Sequence, residues 1–181
     1  MESKNQIAIF GGGCFWCTEA VFGELRGVIS VMPGYSGGTV PNPTYEQVST
    51  GTTGHAEVTR VEYDASQISF HDLLTVFFAT HDPTTRNRQG NDVGTQYRSA
   101  IFYANDVQKH VAEAYIAQLE RAHVFSHKIV TEVTALNAFY PAEGYHQNYA
   151  TLHPTDSYIM FNDAPKVANL KKDFPQMYTG K

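Results

Sequence analysis

The hydrophobic and polar positions along the chain follow two different periods, which predicts a mixture of helices and strands. From Phe70 to Phe78, apolar residues recur at the i, i+3, i+4, i+7 and i+8 positions of an amphipathic helix. Ser69 is suited to cap the N-terminus of this helix, and Pro83 ends it. A second helix is predicted after Asn105, whose spacing from Gln108 is that of a capping box.

Short runs of apolar, β-branched and aromatic residues predict the strands. These runs cover residues 7–10, 28–35, 56–63, 98–103 and 129–136. In the third run, side chains two residues apart share one face of the strand. Glu57 therefore lies on the same face as Val61 and Tyr63, and we expect it to point inward.

Up to Tyr103 the predicted elements follow the order strand, helix, strand, strand, helix, strand, which is the βαββαβ arrangement of ferredoxin-like folds. We therefore predict an α+β fold with a two-layer core, to which an extra helix and strand are added. After Tyr140 the chain contains four prolines and little periodicity beyond residues 145–150, which predicts a long C-terminal coil. The length of 181 residues predicts one domain, 1–181, with 155–181 as an extended tail.

The composition is that of an ordinary globular protein, with 42% apolar and 17% charged residues. The formal net charge of -5 argues against a phosphate-binding surface, so we expect no nucleic-acid partner. We expect no membrane partner, because no stretch approaches the ~18 apolar residues of a membrane span. Residues 1–13 lack the apolar core of a signal peptide, which predicts a cytoplasmic protein. Since neither a heptad pattern nor a long apolar edge occurs, the expected state is a monomer.

The two cysteines, Cys14 and Cys17, form a CxxC motif directly after glycines 11–13. A strand precedes this motif and a helix is predicted to follow it, to about Leu25, so both cysteines lie at a helix N-terminus. There the helix dipole and the unpaired N–H groups favour a thiolate, which makes Cys14 a candidate nucleophile. In a reducing cytoplasm, such a pair indicates redox chemistry or metal binding rather than a permanent disulfide.

Other interpretations of this region compete with a nucleophile. The cysteines could be small buried residues that only pack. A structural zinc site needs about four ligands, and the order of His55-Ala56-Glu57 and the CxxC is the reverse of that in zinc deaminases, so we predict no metal. The glycines match no nucleotide-binding spacing and no GxSxG motif occurs, which disfavours nucleotide binding and serine hydrolysis.

Five motifs stand in order along the chain, within a region from about Ile7 to about His153. They are Gly11-Gly12-Gly13-Cys14-Phe15-Trp16, Gly34-Tyr35-Ser36-Gly37-Gly38, Pro43-Thr44-Tyr45, Gly54-His55-Ala56-Glu57-Val58 and Gly90-Asn91-Asp92-Val93-Gly94-Thr95-Gln96-Tyr97-Arg98-Ser99. Together they resemble the A-type peptide methionine-sulfoxide reductase family. Five ordered motifs in one chain are far more specific than any one of them.

The resemblance implies thiol-dependent reduction of methionine S-sulfoxide, free or within proteins, with Cys14 attacking the sulfoxide sulfur. The sulfoxide oxygen must then receive a proton or strong hydrogen bonds before the S–O bond breaks. Glu57, Tyr45 and Tyr97 match the donors of the family. Burial on an apolar strand face raises the pKa of a carboxyl group, so Glu57 is expected to be a proton donor near neutral pH. Asp92 matches the polar set of the family and is expected to organise hydrogen bonds in the site.

Phe15 and Trp16 match the apolar pocket that the family provides for the methyl group of the substrate. An aromatic wall suits a soft methyl–sulfur group. Packing of the two rings in the core at the helix start is an equally open interpretation. The sequence alone gives no role to the eight histidines, of which His55 and His146 could support the site or lie on the surface.

After reduction, Cys14 is expected to carry a sulfenic acid, which a nearby thiol converts to a disulfide. Many members of the family have glycine at the position of Cys17 and carry their recycling cysteines in the tail, whereas residues 155–181 contain no cysteine here. We expect Cys17 to resolve Cys14, and thioredoxin or dithiothreitol to be the reductant, with no other cofactor. The alternative is that an external thiol reduces the sulfenic acid while Cys17 only packs.

Two rival functions remain open at this stage. A thioredoxin-like disulfide oxidoreductase also has a CxxC between a strand and a helix, but it does not need Glu57, Tyr45 or Tyr97. A binding module for oxidised or apolar peptides could use Phe15, Trp16 and the loop of residues 36–44. Against a binding module stands the cost of keeping an oxidation-prone thiol without catalysis.

Overall fold

A six-stranded sheet with helices packed against it forms the framework of the protein, so the predicted α+β class is confirmed. The structure is a computed structural model that describes residues 4–180. Residues 1–3 and Lys181, which the predicted domain includes, lie outside the described residues. The strands are β1 (Asn5–Gly12), β2 (Val28–Ser36), β3 (Ala56–Asp64), β4 (Arg88–Gln89), β5 (Asp92–Val93), β6 (Ser99–Tyr103), β7 (Glu132–Ala135) and β8 (Phe139–Pro141).

The strand order in the sheet is β7-β6-β1-β3-β2-β8. Neighbouring strands are antiparallel except for β6 and β7, which are parallel. The two short strands β4 and β5 pair with each other in a separate hairpin. This hairpin brings Asp92 to the site described below.

Side chains cap the start of three of the helices described. The helices are α1 (Phe15–Gly23), α2 (Tyr45–Ser49), α3 (Phe70–Ala79), α4 (Asp106–Arg121), α5 (Tyr149–Leu152) and α6 (Ala164–Asp173). The predicted cap Ser69 accepts the N–H of Asp72, and Asn105 accepts the N–H of Gln108. The Gln108 side chain accepts the N–H of Ala104 rather than that of Asn105, so the predicted capping box forms in one direction only. A side chain that accepts an otherwise unpaired N–H stabilises the first turn. None of the helices within residues 4–180 is long and apolar enough to cross a membrane.

The main core lies between the sheet and helices α1, α3 and α4. Ala8 and Phe10 from β1, and Val61 and Tyr63 from β3, are all buried in it. The apolar stripe predicted for α3 faces this core, and Phe77 stacks near Phe10 with 5.0 Å between ring centroids. Glu57 shares the face of Val61 and Tyr63 and is 1% exposed, so this carboxyl points inward as expected.

The C-terminal segment is more regular than the sequence predicted, and the prediction of a long coil is wrong for residues 159–173. A π-helical turn, Ile159–Asp163, leads directly into α6. Pro165 is compatible with this helix because it lies in the first turn, where a missing N–H breaks no hydrogen bond. Leu170 is 1% exposed and belongs to the main core, so tertiary packing holds a helix that periodicity did not indicate.

Candidate active site

Cys14 lies where β1 turns into α1, at the residue immediately before the first helical position. Gly13 allows this turn, because it has a φ of 95° and a Cβ there would lie 2.6 Å from Cγ of Gln89. Cys14 is 9% exposed, and Cys17 in the first turn of α1 is 4% exposed. Both are free thiols. The structure therefore places the two cysteines at a helix N-terminus, as the sequence predicted.

The ionisation of Cys14 differs from the prediction. Burial raises the pKa of the Cys14 thiol well above its ordinary value, and a hydrogen bond with Cys17 and the nearby charge of Glu57 raise it further. The N–H of Trp16 favours the thiolate but does not offset these effects. The prediction that the helix N-terminus produces a thiolate is therefore wrong for the free protein. Desolvation of the anion is the largest influence, and Cys14 carries its proton at neutral pH.

Glu57 lies beside the start of α1 and is held by the backbone there. The N–H of Phe15 donates to Oε1 of Glu57 over 3.2 Å. Burial raises the pKa of Glu57 to about 8, against the effect of this hydrogen bond, and the charge of Asp92 adds to the rise. At neutral pH the carboxyl group is mostly protonated. It therefore has a proton to donate near the Cys14 thiol.

Two phenols lie close to the thiol and the carboxyl group. Tyr45 is the first residue of α2, and Tyr97 ends the 3₁₀ turn Thr95–Tyr97. Burial raises the pKa of both hydroxyls, and the charges of Glu57 and Cys14 add to this rise in both cases. Both tyrosines therefore remain hydrogen-bond donors. The structure brings together the thiol and the three donors that the sequence predicted.

Asp92 reaches the edge of the same site from strand β5. The hydroxyl of Tyr158 donates a short hydrogen bond to Oδ2 of Asp92. Burial raises the pKa of Tyr158, and nearby Cys14 and Cys17 raise it further. The negative charge of Asp92 also raises the pKa of Glu57 and Tyr97. Asp92 thus acts on the donors through its charge.

Phe15 and Trp16 have different environments. Phe15 is 1% exposed and packs in a cluster with Tyr35, whose ring centroid is 5.7 Å away. Trp16 is only partly buried, and it stacks on Tyr149 with ring centroids 3.8 Å apart and an interplanar angle of 7°. Phe15 therefore forms the interior of the aromatic wall. Trp16 provides the part of this wall that solvent reaches.

The sequence left His55 and His146 without a role, and the structure shows both to be buried. Trp16 Nε1–H donates to Nδ1 of His146 over 3.1 Å, which fixes the orientation of the indole. Burial lowers the pKa of His146, so this ring is neutral at pH 7. His55 accepts the N–H of Gly38 over 3.0 Å and thereby holds the glycine-rich loop.

Several residues of the C-terminal segment support the site and were not found from the sequence. Glu143 accepts the N–H of Tyr45 and the hydroxyl of Tyr35, each over 3.0 Å, and so fixes the start of α2. Glu143 lies far along the chain from these partners and is 98 positions from Tyr45. The dense run of aromatic and polar residues at 144–149 is the only signal in the sequence that points to these supporting residues.

Cys17 has a carboxylate partner from the same segment. Its thiol donates a short, buried hydrogen bond to Oδ1 of Asp163, a residue that is 1% exposed. Burial raises the pKa of Asp163 to about 6, although the Cys17 hydrogen bond and the charge of Lys166 act in the opposite direction. Asp163 is therefore mainly ionised at neutral pH. Among residues 4–180, no group of three or more histidine, cysteine or acidic side chains is arranged to hold a metal ion.

A buried cysteine surrounded by protonated donors, with a second thiol one helical turn away, defines a thiol-dependent reductase. A profile described as peptide methionine sulfoxide reductase matches residues 6–178. The chain is also 53% identical to the peptide methionine sulfoxide reductase MsrA of Saccharolobus solfataricus, over 94% of this chain and 95% of that protein. The chain belongs to the peptide methionine sulfoxide reductase family, A type, as the five motifs predicted. The predicted activity, thiol-dependent reduction of methionine sulfoxide, is confirmed by this membership.

Solved structures agree with this assignment. Mxr1 from Saccharomyces cerevisiae in reduced form is 32% identical and has a TM-score of 0.80, over 86% of this chain and 90% of that chain. Mxr1 in complex with Trx2 is 23% identical over 83% of this chain and 88% of that chain, with a TM-score of 0.58, which shows a shared fold.

Proposed function

We propose that this site reduces methionine S-sulfoxide, free or in proteins, by attack of Cys14 on the sulfoxide sulfur with Glu57 as the main proton donor. The observation that carries this proposal is the protonation state of Glu57 at neutral pH. This carboxyl group is 1% exposed, and its pKa is raised to about 8 by burial. A group that keeps its proton at neutral pH can transfer it to the oxygen on which charge develops.

The chemistry of the first step follows from these donors. Attack of the Cys14 sulfur pushes electron density onto the sulfoxide oxygen, where Glu57 donates a proton and Tyr45 and Tyr97 donate hydrogen bonds. The thiol proton of Cys14 passes to the carboxylate that Glu57 leaves. The S–S bond formed by the attack then breaks as an S–O bond to Cys14 replaces the S–O bond to the substrate, so the products are methionine and a Cys14 sulfenic acid.

The methyl group of the substrate is assigned to the aromatic wall. Trp16 offers exposed ring surface there, and Phe15 supports it from the interior. The stacking of Trp16 on Tyr149 keeps this surface in place. Asp92, which the Tyr158 hydroxyl contacts, is assigned to the hydrogen-bond network and to tuning of the donors rather than to proton transfer.

The second step is assigned to Cys17. Its thiol interacts with the Cys14 thiol, and its N–H lies 3.1 Å from the carbonyl oxygen of Cys14. Condensation of the Cys17 thiol with the sulfenic acid gives a disulfide and water. Thioredoxin is proposed to reduce this disulfide, and the structure of the yeast relative with Trx2 supports such a partner. Dithiothreitol replaces it in vitro, and no prosthetic group is required.

We also propose the core fold, the domain organisation, the oligomeric state and the cellular compartment of the enzyme. The strand order β6-β1-β3-β2, with antiparallel neighbours throughout, supports a ferredoxin-like core. A single domain over residues 1–181 is proposed, with residues 155–181 as a tail that packs on this core. A monomer suits an enzyme whose substrates include protein side chains. Because a thioredoxin-coupled thiol needs reducing surroundings, the cytoplasm is the proposed compartment.

The test uses each epimer of methionine sulfoxide, with wild-type enzyme, Cys14→Ser and Cys17→Ser, and quantifies methionine. We expect reduction of the S epimer only, and no activity of Cys14→Ser with any reductant. Cys17→Ser is expected to keep activity with dithiothreitol and to lose it with thioredoxin. If Cys17→Ser turns over normally with thioredoxin, direct reduction of the sulfenic acid replaces the resolving role. If the R epimer reacts equally well, the assignment of the S epimer is wrong.

A further inference from the structure

Asp163 is a buried carboxylate in direct contact with a thiol that the first chemical step does not use. Its Oδ1 accepts the hydrogen bond of the Cys17 thiol. Its Oδ2 is buried and accepts no hydrogen bond from any residue within 4–180. Burying a carboxylate with only part of its hydrogen-bonding capacity satisfied is costly. A neutral side chain could accept the same thiol hydrogen bond at lower cost, so the charge calls for an explanation beyond packing.

The charges around Asp163 keep it able to accept a proton. Burial is the largest influence and raises the pKa of Asp163 to about 6. This pKa is closer to that of a thiol than the pKa of an ordinary aspartate is. The neighbouring groups that face Asp163 act in both directions. Cys17 and Lys166 lower the pKa of Asp163, whereas Asp156 and Asp92 raise it. Glu19 on α1 also lies nearby, and the charge of Asp163 raises the pKa of Glu19.

We propose that Asp163 is the general base of the resolving step, which takes the proton from the Cys17 thiol as this sulfur attacks the Cys14 sulfenic acid. This inference rests on the proposed resolving role of Cys17. Only the thiolate is a good nucleophile, and a base in hydrogen-bond contact generates it at the moment of attack. The structure already holds this contact in the reduced enzyme.

The step balances without any further reactant. The bond between the two sulfur atoms forms, and the S–O bond of the sulfenic acid breaks. The proton of Cys17 moves to Asp163, and the hydroxyl group leaves Cys14 as water with a proton from Glu57. Cys17 and Cys14 are oxidised to the disulfide overall, with methionine sulfoxide as the oxidant consumed in the preceding step. Asp163 borders an open cavity between α1 and α6, through which its proton returns to solvent. Glu57 regains its proton from water before the next turnover.

The decisive variant is Asp163→Asn, which keeps the shape of the side chain and an oxygen that accepts the thiol hydrogen bond. Stopped samples of a single turnover are analysed for methionine and for the Cys14–Cys17 disulfide by mass spectrometry. We expect methionine to form at the wild-type rate, while disulfide formation slows by about 10²-fold, a typical contribution of a general base. Thioredoxin-supported turnover is expected to fall in parallel, and turnover with dithiothreitol to be retained.

Glu19→Gln is the matched control. Glu19 is also a buried carboxyl of α1, 7% exposed, and its Oε2 accepts the N–H of Asn148 over 3.1 Å. The substitution leaves the hydrogen bond between Cys17 and Asp163 in place, so we expect disulfide formation near the wild-type rate. An equal slowing in both variants would overturn the proposal, because loss of any buried charge would then suffice.

A pH profile of the wild-type enzyme tests the same idea without any substitution. The rate of disulfide formation is expected to fall as the pH drops through about 6, where Asp163 gains a proton. This acid limb is expected to be absent in Asp163→Asn. A normal disulfide rate in Asp163→Asn overturns the role of Asp163 and leaves Cys17 as the resolving thiol. Absence of any Cys14–Cys17 disulfide in the wild type overturns both.

Discussion

Two buried carboxyl groups contact the start of α1, and their environments separate their ionisation. Glu57, from the sheet, receives one backbone N–H and lies near the charge of Asp92, and its pKa is about 8. Asp163, from the C-terminal segment, receives the Cys17 thiol and lies near Lys166, and its pKa is about 6. At pH 7 the first is mainly an acid and the second mainly a base. Carboxyl groups tuned apart in this way mark the proton donor and the proton acceptor of a site.

The two carboxyl groups come from different regions of the molecule. The sheet and its loops supply the thiol and the donors for reduction of the sulfoxide. The segment after β8 supplies Asp163 for Cys17, and His146 and Tyr149 for Trp16. Loss of a donor from the sheet should therefore slow the first step, whereas loss of Asp163 should slow the second step.

The largest effect is expected for Glu57→Gln, which retains the size of the side chain but has no proton to transfer. The single-turnover rate of methionine formation at pH 7 should fall by about 10²- to 10⁴-fold, as for loss of a general acid. In the wild type this rate should decline above pH 8, because Glu57 ionises with a pKa of about 8, and the variant should lack this decline. Rapid quenching across pH 6 to 10 measures both.

Glu62→Gln serves as the control for this substitution, because Glu62 lies on the same strand and its carboxyl group contacts Ser30 and Asn5 at the surface. Its rate should match that of the wild type. A Glu57→Gln enzyme that keeps nearly full single-turnover activity would show that Tyr45 and Tyr97 suffice as donors.

Leu170→Ala tests whether α6 is an integral part of the fold. Removing a side chain that is 1% exposed in the main core should lower the free energy of unfolding by about 2–5 kcal/mol. Urea denaturation measures this change, and the exposed Lys172→Ala on the same helix should stay within about 0.5 kcal/mol of wild type. Equal stability of both variants would mean that the C-terminal segment docks weakly.

A smaller effect is expected for Tyr97→Phe, and the same for Tyr45→Phe. Each removes one hydrogen-bond donor to the sulfoxide oxygen while the ring remains, so kcat/KM should fall by about tenfold, or about 1.4 kcal/mol. Steady-state assays with the S epimer and dithiothreitol measure this loss. Tyr103→Phe, on β6 and outside the site, should leave kcat/KM unchanged. Wild-type kcat/KM in both site variants would leave Glu57 as the sole donor.

Local patterns were enough to predict most of the framework. The capping residues Ser69 and Asn105 and the stripe of α3 are confirmed, because each depends on neighbours within a few positions. The inward position of Glu57 followed from the period of the strand alone. Helix α6 could not be found in this way, since the burial of Leu170 against the distant main core stabilises it.

The sequence by itself determined the family and identified the proposed nucleophile and donors, because the motifs carry residue types at spacings that few other functions require. Only the tertiary structure decided the proton states. The pKa of Cys14 depends on how much solvent its neighbours exclude, and burial reversed the prediction from the helix dipole. Only the folded structure also shows the hydrogen bond between Cys17 and Asp163, because these residues are 146 positions apart along the chain. Desolvation and long-range contact exist only in the folded chain, so no local pattern encodes them.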